Sequence, residues 1–549
     1  MNFISKNKYI ILVITLLTGL MFYFIGEKQG FHEDEIFSIG SSNYKYDNVY
    51  RPFGYAEATQ DVFYNQVLKS DHKLYNLKKF IFDNNSFIKD ENLVKEVPIF
   101  KTKDDAIEYL TIGKGDIFNY FSVYYNQSRD VHPPLFYFLV HFVSTIFYGT
   151  FSKYVIFSIN LLFFIGSLLV INKIMKSLNK EKLGIPTMIL YGGSIGCIST
   201  VMFQRMYMML TFFSILYLYL TIKFIQDDFI INKKKLWILT ILCGFLTQYY
   251  FCIYIVLVFI LISIYLIIKK QYKKLYNYFI IHFIPAIIGI VFYPASIYHI
   301  FFSYNRGIGD GGSTKTIIEN VIYYLSQIYK LFGFKNLLLI TILVCIILII
   351  KNKIKINKEK VNYLILLLVP VIMYILIVSK IAPFLGENYT SRYIMLTFPI
   401  IAISFMYLLS LITKSSVISL IISVVLVING LLNETPAYLY KDYKKVMDLA
   451  QENKEDYFVY VFDNNFTHLS SLPEFATYKA SLIINVNEYD FSLLNNSELN
   501  SSNEFIVCIK KWLNQDEILN KILKNTKFND YEKLLELDSD VESIYYKFL

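Results

Sequence analysis

Long apolar runs are the feature that most limits how this chain can fold. Residues 10–25, 236–268 and 337–350 form runs that can cross, or nearly cross, a hydrocarbon layer of about 30 Å. Hydrophobic residues make up 55% of the 549 residues and charged residues only 18%, which excludes an ordinary series of soluble domains. The sequence therefore predicts a polytopic α-helical membrane protein.

Lysine clusters predict the topology, because the cytoplasmic loops of membrane proteins are enriched in Lys and Arg. Lys6 and Lys8 place the N-terminus in the cytoplasm, and the polar stretch to about residue 130 then lies outside. Four later clusters should be cytoplasmic; they fall at residues 173–182, 233–235, 269–274 and 351–360. The net charge of +9 follows from these clusters and gives no reason to expect a nucleic-acid partner.

The same rule assigns two ambiguous apolar segments. Residues 236–268 would make one helix about 50 Å long, so we predict two short crossings that turn near residues 248–250. Residues 132–149 cannot also cross without moving the next lysine cluster outside, so we predict a helix in the outer interface. A second, amphipathic surface helix is predicted for residues 317–332.

Eleven transmembrane helices result, and this odd number places the C-terminus outside. The predicted spans are 8–25, 154–172, 184–202, 207–225, 236–249, 251–268, 276–297, 334–350, 361–379, 393–411 and 416–433. Residues 1–433 form the predicted transmembrane domain, with 26–152 as its first extracytoplasmic loop. Residues 434–549 alternate helix-like segments with β-rich runs, which predicts a small extracytoplasmic α/β domain.

Polar residues concentrate on the outer face in this topology. The group His32-Glu33-Asp34-Glu35 follows the first span, although carboxylates crowded at a membrane surface are costly to desolvate. The other outer candidates are His132 before two prolines, Arg205 and Tyr207 after the third predicted span, and Glu387, Arg392 and Tyr393 near span ten. One face thus collects carboxylates, arginines and a histidine from segments far apart in sequence.

Each of these residues also has a purely structural explanation. An acidic group after a first span is usually a solvated loop, and arginines at span ends often anchor a protein by snorkelling. Tyrosines at this depth are ordinarily interface aromatics, and this chain has 47 tyrosines. Together, however, the residues offer a carboxylate as general base and guanidinium groups that match a lipid-linked phosphate.

Four motifs resemble those of the C-type (GT-C) membrane glycosyltransferases, which include protein O-mannosyltransferases, the lipid A aminoarabinose transferase and oligosaccharyltransferases. The motifs are His32-Glu33-Asp34-Glu35, His132-Pro133-Pro134-Leu135-Phe136-Tyr137, Arg205-Met206-Tyr207, and Arg392-Tyr393 with Pro399. The chain is most similar to the bacterial branch that uses polyprenyl-phosphate monosaccharides.

The resemblance implies an enzyme of the bacterial cell membrane, a hexosyl- or pentosyltransferase. It would pass a sugar from a polyprenyl-phosphate donor to an envelope glycan, lipid or protein by an inverting displacement at the outer face. Asp34 would be the catalytic base, and Glu35 would orient the acceptor or support Asp34. Candidates for binding the donor phosphate are Arg205, Arg392 and His132, and those for the substrate pocket are Tyr207, Tyr393 and Glu387.

No metal or other cofactor is expected to be required. Relatives commonly carry an acidic residue just before the second outer motif, where this chain has Val201-Met202-Phe203-Gln204. Two alternatives to catalysis remain open. One is a transporter or flippase for lipid-linked saccharides, which would often have polar residues deep in its spans and two related halves. The other is an inactive relative whose C-terminal domain is a binding module.

Overall fold

The computed structural model describes most of the chain. The described residues are 2–46, 50, 71–72, 75–76, 98–301, 316–335, 337, 346–347, 358–382, 390–413, 415–463, 467–495, 497–538 and 542–549. Within them, eight helices are long and apolar enough to cross a membrane, or nine if one bent pair counts as a single span. This confirms a polytopic helical membrane protein. The eighth predicted span, 334–350, falls mostly outside the described residues.

Helices dominate the first four-fifths of the described chain, and strands cluster near its end. In chain order the α-helices are α1 (Asn2–Glu27), α2 (Glu33–Asn43), α3 (Lys103–Leu110), α4 (Tyr120–Ser128), α5 (Leu135–Ile146), α6 (Lys153–Ser177), α7 (Gly184–Gly192), α8 (Ile195–Met202), α9 (Tyr207–Gln226), α10 (Lys234–Thr247), α11 (Tyr250–Ile268), α12 (Tyr272–Phe292), α13 (Ala295–Phe301), α14 (Ile317–Leu331), α15 (Lys358–Ile381), α16 (Phe398–Ile412), α17 (Ser416–Asn433), α18 (Tyr443–Glu452), α19 (Leu472–Phe475), α20 (Ser497–Ser501) and α21 (Gln515–Asn525). The strands are β1 (Lys101–Thr102), β2 (Tyr457–Phe462), β3 (Ala480–Asn485), β4 (Phe505–Lys510), β5 (Tyr531–Leu537) and β6 (Ser543–Phe548).

Several ambiguous segments adopt the predicted helices. The apolar stretch 236–268 is two helices, α10 and α11, which meet at Gln248-Tyr249 as predicted. Helix α5 has 12 residues and is too short to cross a layer of about 30 Å at 1.5 Å per residue.

The region predicted as a single straight span, 184–202, is instead a pair of helices, α7 and α8, bent by 60°. Ser194 lies at this bend, and its hydroxyl caps α8 by accepting from the Cys197 amide at 3.2 Å.

The chain divides into two compact units, which we describe separately. The helical unit contains Met1–Ile25, Val131–Phe136 and Ile156–Ala437. The mixed unit contains Gly26–Asp130, Tyr137–Val155 and Tyr438–Leu549. The domains predicted from the sequence were defined by the side of the membrane, so that division stays a prediction.

A six-stranded sheet organises the mixed unit, in the order β1-β3-β2-β4-β6-β5. Strand β2 is parallel to both β3 and β4, whereas β6 is antiparallel to β4. Strand β1 comes from the first loop and pairs with β3, with Lys101 opposite Ser481. Segments that are more than 350 residues apart in sequence therefore share one sheet, with an apolar core of residues such as Val459, Leu482 and Val507 on one face.

Buried polar residues lie on the other side of the sheet, near α19. Glu474 is fully buried, and its Oε2 accepts a hydrogen bond from the Tyr545 hydroxyl at 3.4 Å. Lys510 is also buried and donates to the Ser543 hydroxyl at 3.0 Å. Burial raises the pKa of the Glu474 carboxyl to about 8, and the charge of Lys510 only partly opposes this.

We predict that Glu474 makes the mixed unit less stable as the pH rises. Its pKa rises from an ordinary 4.5 to about 8 on folding, so folding takes up a proton between these values. Stability should therefore fall with increasing pH across this window, by up to about 1.4 kcal/mol per pH unit. Hydrogen exchange in β2 and β4, followed in the intact protein at several pH values, should show a weaker pH dependence in Glu474→Gln.

The matched control is Glu517→Gln, because the Glu517 side chain is 54% exposed. This control should keep the pH dependence of the wild-type protein. Equal pH dependence in the Glu474→Gln variant and the wild type would show that Glu474 is ionised in the folded unit across the whole range.

Candidate functional site

The acidic motif forms the start of helix α2 in the mixed unit. His32 is the N-cap residue, and its Nδ1 accepts from the Asp34 amide at 3.0 Å. Glu35, three residues on, accepts from the His32 amide at 2.7 Å, which completes a capping box. The order His-Glu-Asp-Glu therefore satisfies two amides that a helix start leaves without partners.

Asp34 is the partly exposed carboxylate of this motif. Its side chain is 32% exposed, and its Oδ2 lies 3.8 Å from Nδ1 of His32. It occupies the first turn of α2, where the amide groups of the helix start stabilise negative charge. A partly exposed carboxylate at this position can be reached by an acceptor hydroxyl, as a general base must be.

Glu35 has a different environment, because it is fully buried. Both of its carboxylate oxygens bind the Lys28 ammonium group, at 3.0 and 3.1 Å. The same ammonium donates to the Tyr438 carbonyl at 2.7 Å. Burial lowers the pKa of Lys28, and the negative charge of Glu35 opposes this shift. This geometry favours the predicted supporting role of Glu35 over direct contact with an acceptor.

Packing holds α2 within the mixed unit. The helix contacts α3, α4 and the 3₁₀ helix Thr467–Ser471, which follows β2. Asn126 of α4 donates to the carbonyls of Ser41 at 3.1 Å and Tyr44 at 2.8 Å, at the other end of α2. Gly40 faces the ring of Tyr109 so closely that a Cβ atom would lie 1.9 Å from its Cζ.

The helical unit brings together His132 and Arg205, which are 73 residues apart. Nη2 of Arg205 lies 3.3 Å from Nε2 of His132, and Arg205 is only 3% exposed. The Tyr293 hydroxyl donates to the His132 carbonyl at 3.3 Å. Asn160 fixes the turn before Arg205 by donating to the carbonyls of Val201 and Phe203, at 3.0 and 2.9 Å.

Arg392 and Tyr393 lie in a 3₁₀ helix, Thr390–Thr397, that packs against α8 and α9. Nη2 of Arg392 donates to the Tyr393 hydroxyl at 3.3 Å. Helix α9 begins at Tyr207, so this packing brings the Arg205-Met206-Tyr207 and Arg392-Tyr393 motifs into one region of the helical unit. The sequence-predicted phosphate-binding residues of this unit are therefore grouped by the fold.

Further tyrosines lie near Tyr393, and no pattern in the sequence distinguishes them from the other tyrosines. The Tyr250 ring centroid lies 5.6 Å from that of Tyr393, and the Tyr374 hydroxyl donates to the Tyr393 carbonyl at 2.8 Å. Tyr324 is within electrostatic range of Tyr393, Tyr207 and Arg392. Its hydroxyl is buried and makes no hydrogen bond among the described residues.

Two further predictions, the role of Glu387 and metal independence, remain untested. Glu387 lies outside the described residues. Among the residues that are described, no three His, Cys, Asp or Glu side chains are grouped so that they could hold a metal ion. Metal independence stays a prediction.

His282, in the middle of α12, is a buried histidine with partners inside the protein. Its ring nitrogens lie 2.9 Å from the Tyr217 hydroxyl and 2.7 Å from the Tyr278 carbonyl, so its burial needs no ligand.

Comparison with solved structures identifies the fold. The chain is similar to ArnT from Cupriavidus metallidurans bound to undecaprenyl phosphate, with a TM-score of 0.52 and 9% sequence identity. The match covers 98% of this chain and 98% of that chain. No protein-family model and no curated protein matches the sequence significantly. The chain therefore has the fold of a GT-C glycosyltransferase, as the four motifs predicted.

We predict that Gly40→Ala loosens the packing of α2. Tyr109 is fully buried, so its ring has little room to move away from an added methyl group. Overpacking of this kind typically costs about 1–3 kcal/mol. Thermal unfolding of the purified protein should therefore begin at a lower temperature. Gly26→Ala is the control, since nothing lies within 4 Å of its added Cβ; equal melting of the two variants would contradict the tight contact.

Proposed function

We propose that this chain is a membrane glycosyltransferase that uses a polyprenyl-phosphate sugar donor. The observation that carries the proposal is a group of two elements in the helical unit: Arg205 pairs with His132, and the 3₁₀ helix that bears Arg392 packs against α9, which begins two residues after Arg205. The group occurs in a fold that ArnT shares, and that structure contains undecaprenyl phosphate. The acceptor would be a glycan, lipid or protein of the cell envelope, reached on the outer face of a bacterial cell membrane.

The donor phosphate would bind to the two arginines. A guanidinium group offers planar paired donors to phosphate oxygens and stays charged when it is partly desolvated. Arg205 is buried beside His132, and Arg392 donates to the Tyr393 hydroxyl. The buried hydroxyl of Tyr324 is a further donor near Arg392. Preorganised donors in a poorly hydrated site stabilise the charge that grows on a leaving phosphate.

Asp34 would act as the general base in an inverting displacement. Its carboxylate takes the proton of an acceptor hydroxyl, whose oxygen forms a bond to the anomeric carbon of the sugar. The bond between that carbon and the phosphate oxygen breaks on the opposite face, and the polyprenyl phosphate leaves with the electron pair. Arg205 and Arg392 balance its negative charge. In this proposal resident side chains supply both the base and the cations.

The alternatives make different predictions about Asp34. A transporter or flippase of lipid-linked saccharides would move its substrate without breaking the glycosidic bond. An inactive relative would bind the lipid phosphate and release nothing. Only the transferase requires a base, so replacing the Asp34 carboxylate separates the transferase from both alternatives.

We predict that Asp34→Asn abolishes sugar transfer and leaves donor binding intact. A general base typically contributes about 10²–10⁴-fold to the rate, so transfer should fall by that factor. The measurement is transfer from a polyprenyl-phosphate sugar by the purified protein, together with the Kd for that donor.

Asp104→Asn is a matched control, since Asp104 occupies the equivalent second position of α3, which also begins with a capping box. Transfer by this variant should equal that of the wild type. Undiminished transfer in Asp34→Asn would refute the assignment of the base.

We predict a graded loss of lipid-phosphate binding at Arg392. Arg392→Lys keeps the charge and loses the planar fork, so the Kd for undecaprenyl phosphate should rise about tenfold. Arg392→Met loses both, and the Kd should rise about 100-fold. Lys330→Met, which removes an exposed charge at the end of α14, should bind as the wild type does. Equal affinity in all four proteins would exclude Arg392 from the phosphate site.

A further inference from the structure

We propose that Lys28 is a positioning residue that fixes the catalytic carboxylate of Asp34 by anchoring the start of α2 to the C-terminal segment. The inference rests on the proposed function and assigns a role to two features that the sequence left open. These are Glu35 of the acidic motif and the C-terminal segment itself.

The ammonium group of Lys28 uses all three of its donors on buried partners. It binds the two oxygens of Glu35 at 3.0 and 3.1 Å and the carbonyl of Tyr438 at 2.7 Å. The Lys28 and Glu35 side chains have no exposed surface. The rings of Phe31 and Tyr440 lie 5.3 and 5.5 Å from the ammonium nitrogen and cover it. Lys28, which is itself held by the Tyr438 carbonyl, therefore fixes the direction of the Glu35 carboxylate.

A continuous series of hydrogen bonds leads from this ion pair to Asp34. The Glu35 carboxylate, held by Lys28, accepts from the His32 amide at 2.7 Å. The His32 ring then accepts from the Asp34 amide at 3.0 Å. Movement of Glu35 would thus release the capping box and change where the first turn of α2 places the Asp34 carboxylate.

The start of the C-terminal segment also contacts the two residues that follow Lys28. The Gln29 amide donates to the Leu439 carbonyl at 2.8 Å. Gly30 approaches so closely that a Cβ atom would lie 2.9 Å from the Cβ atoms of Tyr440 and Tyr443. The segment therefore serves as the anchor of the acidic motif.

Stability alone does not account for a buried ion pair at this position. Apolar residues of similar volume are often equally or more stabilising than a buried pair, because desolvating two charges is costly. Lys28 provides direction and charge balance, which apolar residues lack. It neutralises Glu35, so Asp34 can carry its negative charge without repulsion from an unbalanced neighbour.

The double variant Lys28→Met/Glu35→Gln tests this inference. Lys28→Met alone would leave a buried, unpaired carboxylate and could prevent folding, whereas the double variant removes both charges. We expect it to melt near the wild-type temperature. Its kcat should fall about 100-fold, because a small misplacement of a catalytic group has effects of this size. Its donor KM should change by less than about threefold, since donor binding does not depend on Asp34.

The double variant Lys441→Met/Glu27→Gln is the matched control. It removes an ion pair that joins the same two segments but is exposed, with side chains 51% and 37% accessible. Its kcat should remain within about twofold of the wild type, as expected for a surface ion pair. A folded Lys28→Met/Glu35→Gln protein with wild-type kcat would overturn the proposal.

Hydrogen exchange of residues 29–37 gives a readout that does not need activity. Exchange there should be faster in Lys28→Met/Glu35→Gln than in the control variant, because Lys28 no longer holds the side chain at position 35 or the Tyr438 carbonyl. If the wild-type protein transfers no sugar, the proposed function fails while this exchange experiment still measures the anchor. Unchanged exchange in residues 29–37 would overturn the anchoring role even if transfer is observed.

Discussion

The hydrocarbon core of a membrane offers no water to backbone N–H and C=O groups, so each crossing segment must complete its hydrogen bonds within a helix. This constraint leaves polar chemistry to the helix ends and to the loops between them. In the described structure, Arg205 precedes α9, Arg392 precedes α16, and Asp34 lies in the first turn of α2. These three candidate residues thus lie at or just before the starts of helices in their respective units.

Two of the three carboxylates of the acidic motif, Asp34 and Glu35, show how similar side chains can have different environments. Asp34 is partly exposed at a helix start, whereas Glu35 is buried and bound by Lys28. A general base must reach its substrate. The Glu35 carboxylate already binds the Lys28 ammonium group and the His32 amide, so it is not available to a substrate. This difference in surroundings supports the proposal that Asp34 is the base and that Glu35 supports it.

Sequence patterns predicted the local features of the fold. The apolar runs predicted the membrane helices, and the lysine clusters predicted the break between α10 and α11 at residues 248–249. Neither pattern predicted the bend between α7 and α8, because a break inside an apolar run changes neither its hydropathy nor its flanking charges.

Long-range contacts could not be predicted from the sequence, because a local pattern of residues does not specify which distant segment it will contact. The pairing of β1 with β3 joins residues 101 and 481, and Lys28 meets Tyr438 across 410 positions. In the sequence, Lys28 is not distinguishable from any other lysine that flanks a membrane span. Tyr324 was likewise one of 47 tyrosines until the fold placed it near Arg392.

The most direct test of the account is the release of free polyprenyl phosphate. The wild-type protein would be reconstituted with a panel of polyprenyl-phosphate sugars and an envelope extract as the source of acceptor. If the protein is a polyprenyl-phosphate sugar transferase, at least one donor should yield free lipid phosphate in step with sugar transfer, with inversion at the anomeric carbon. A folded protein that binds these donors but releases lipid phosphate from none of them would contradict it.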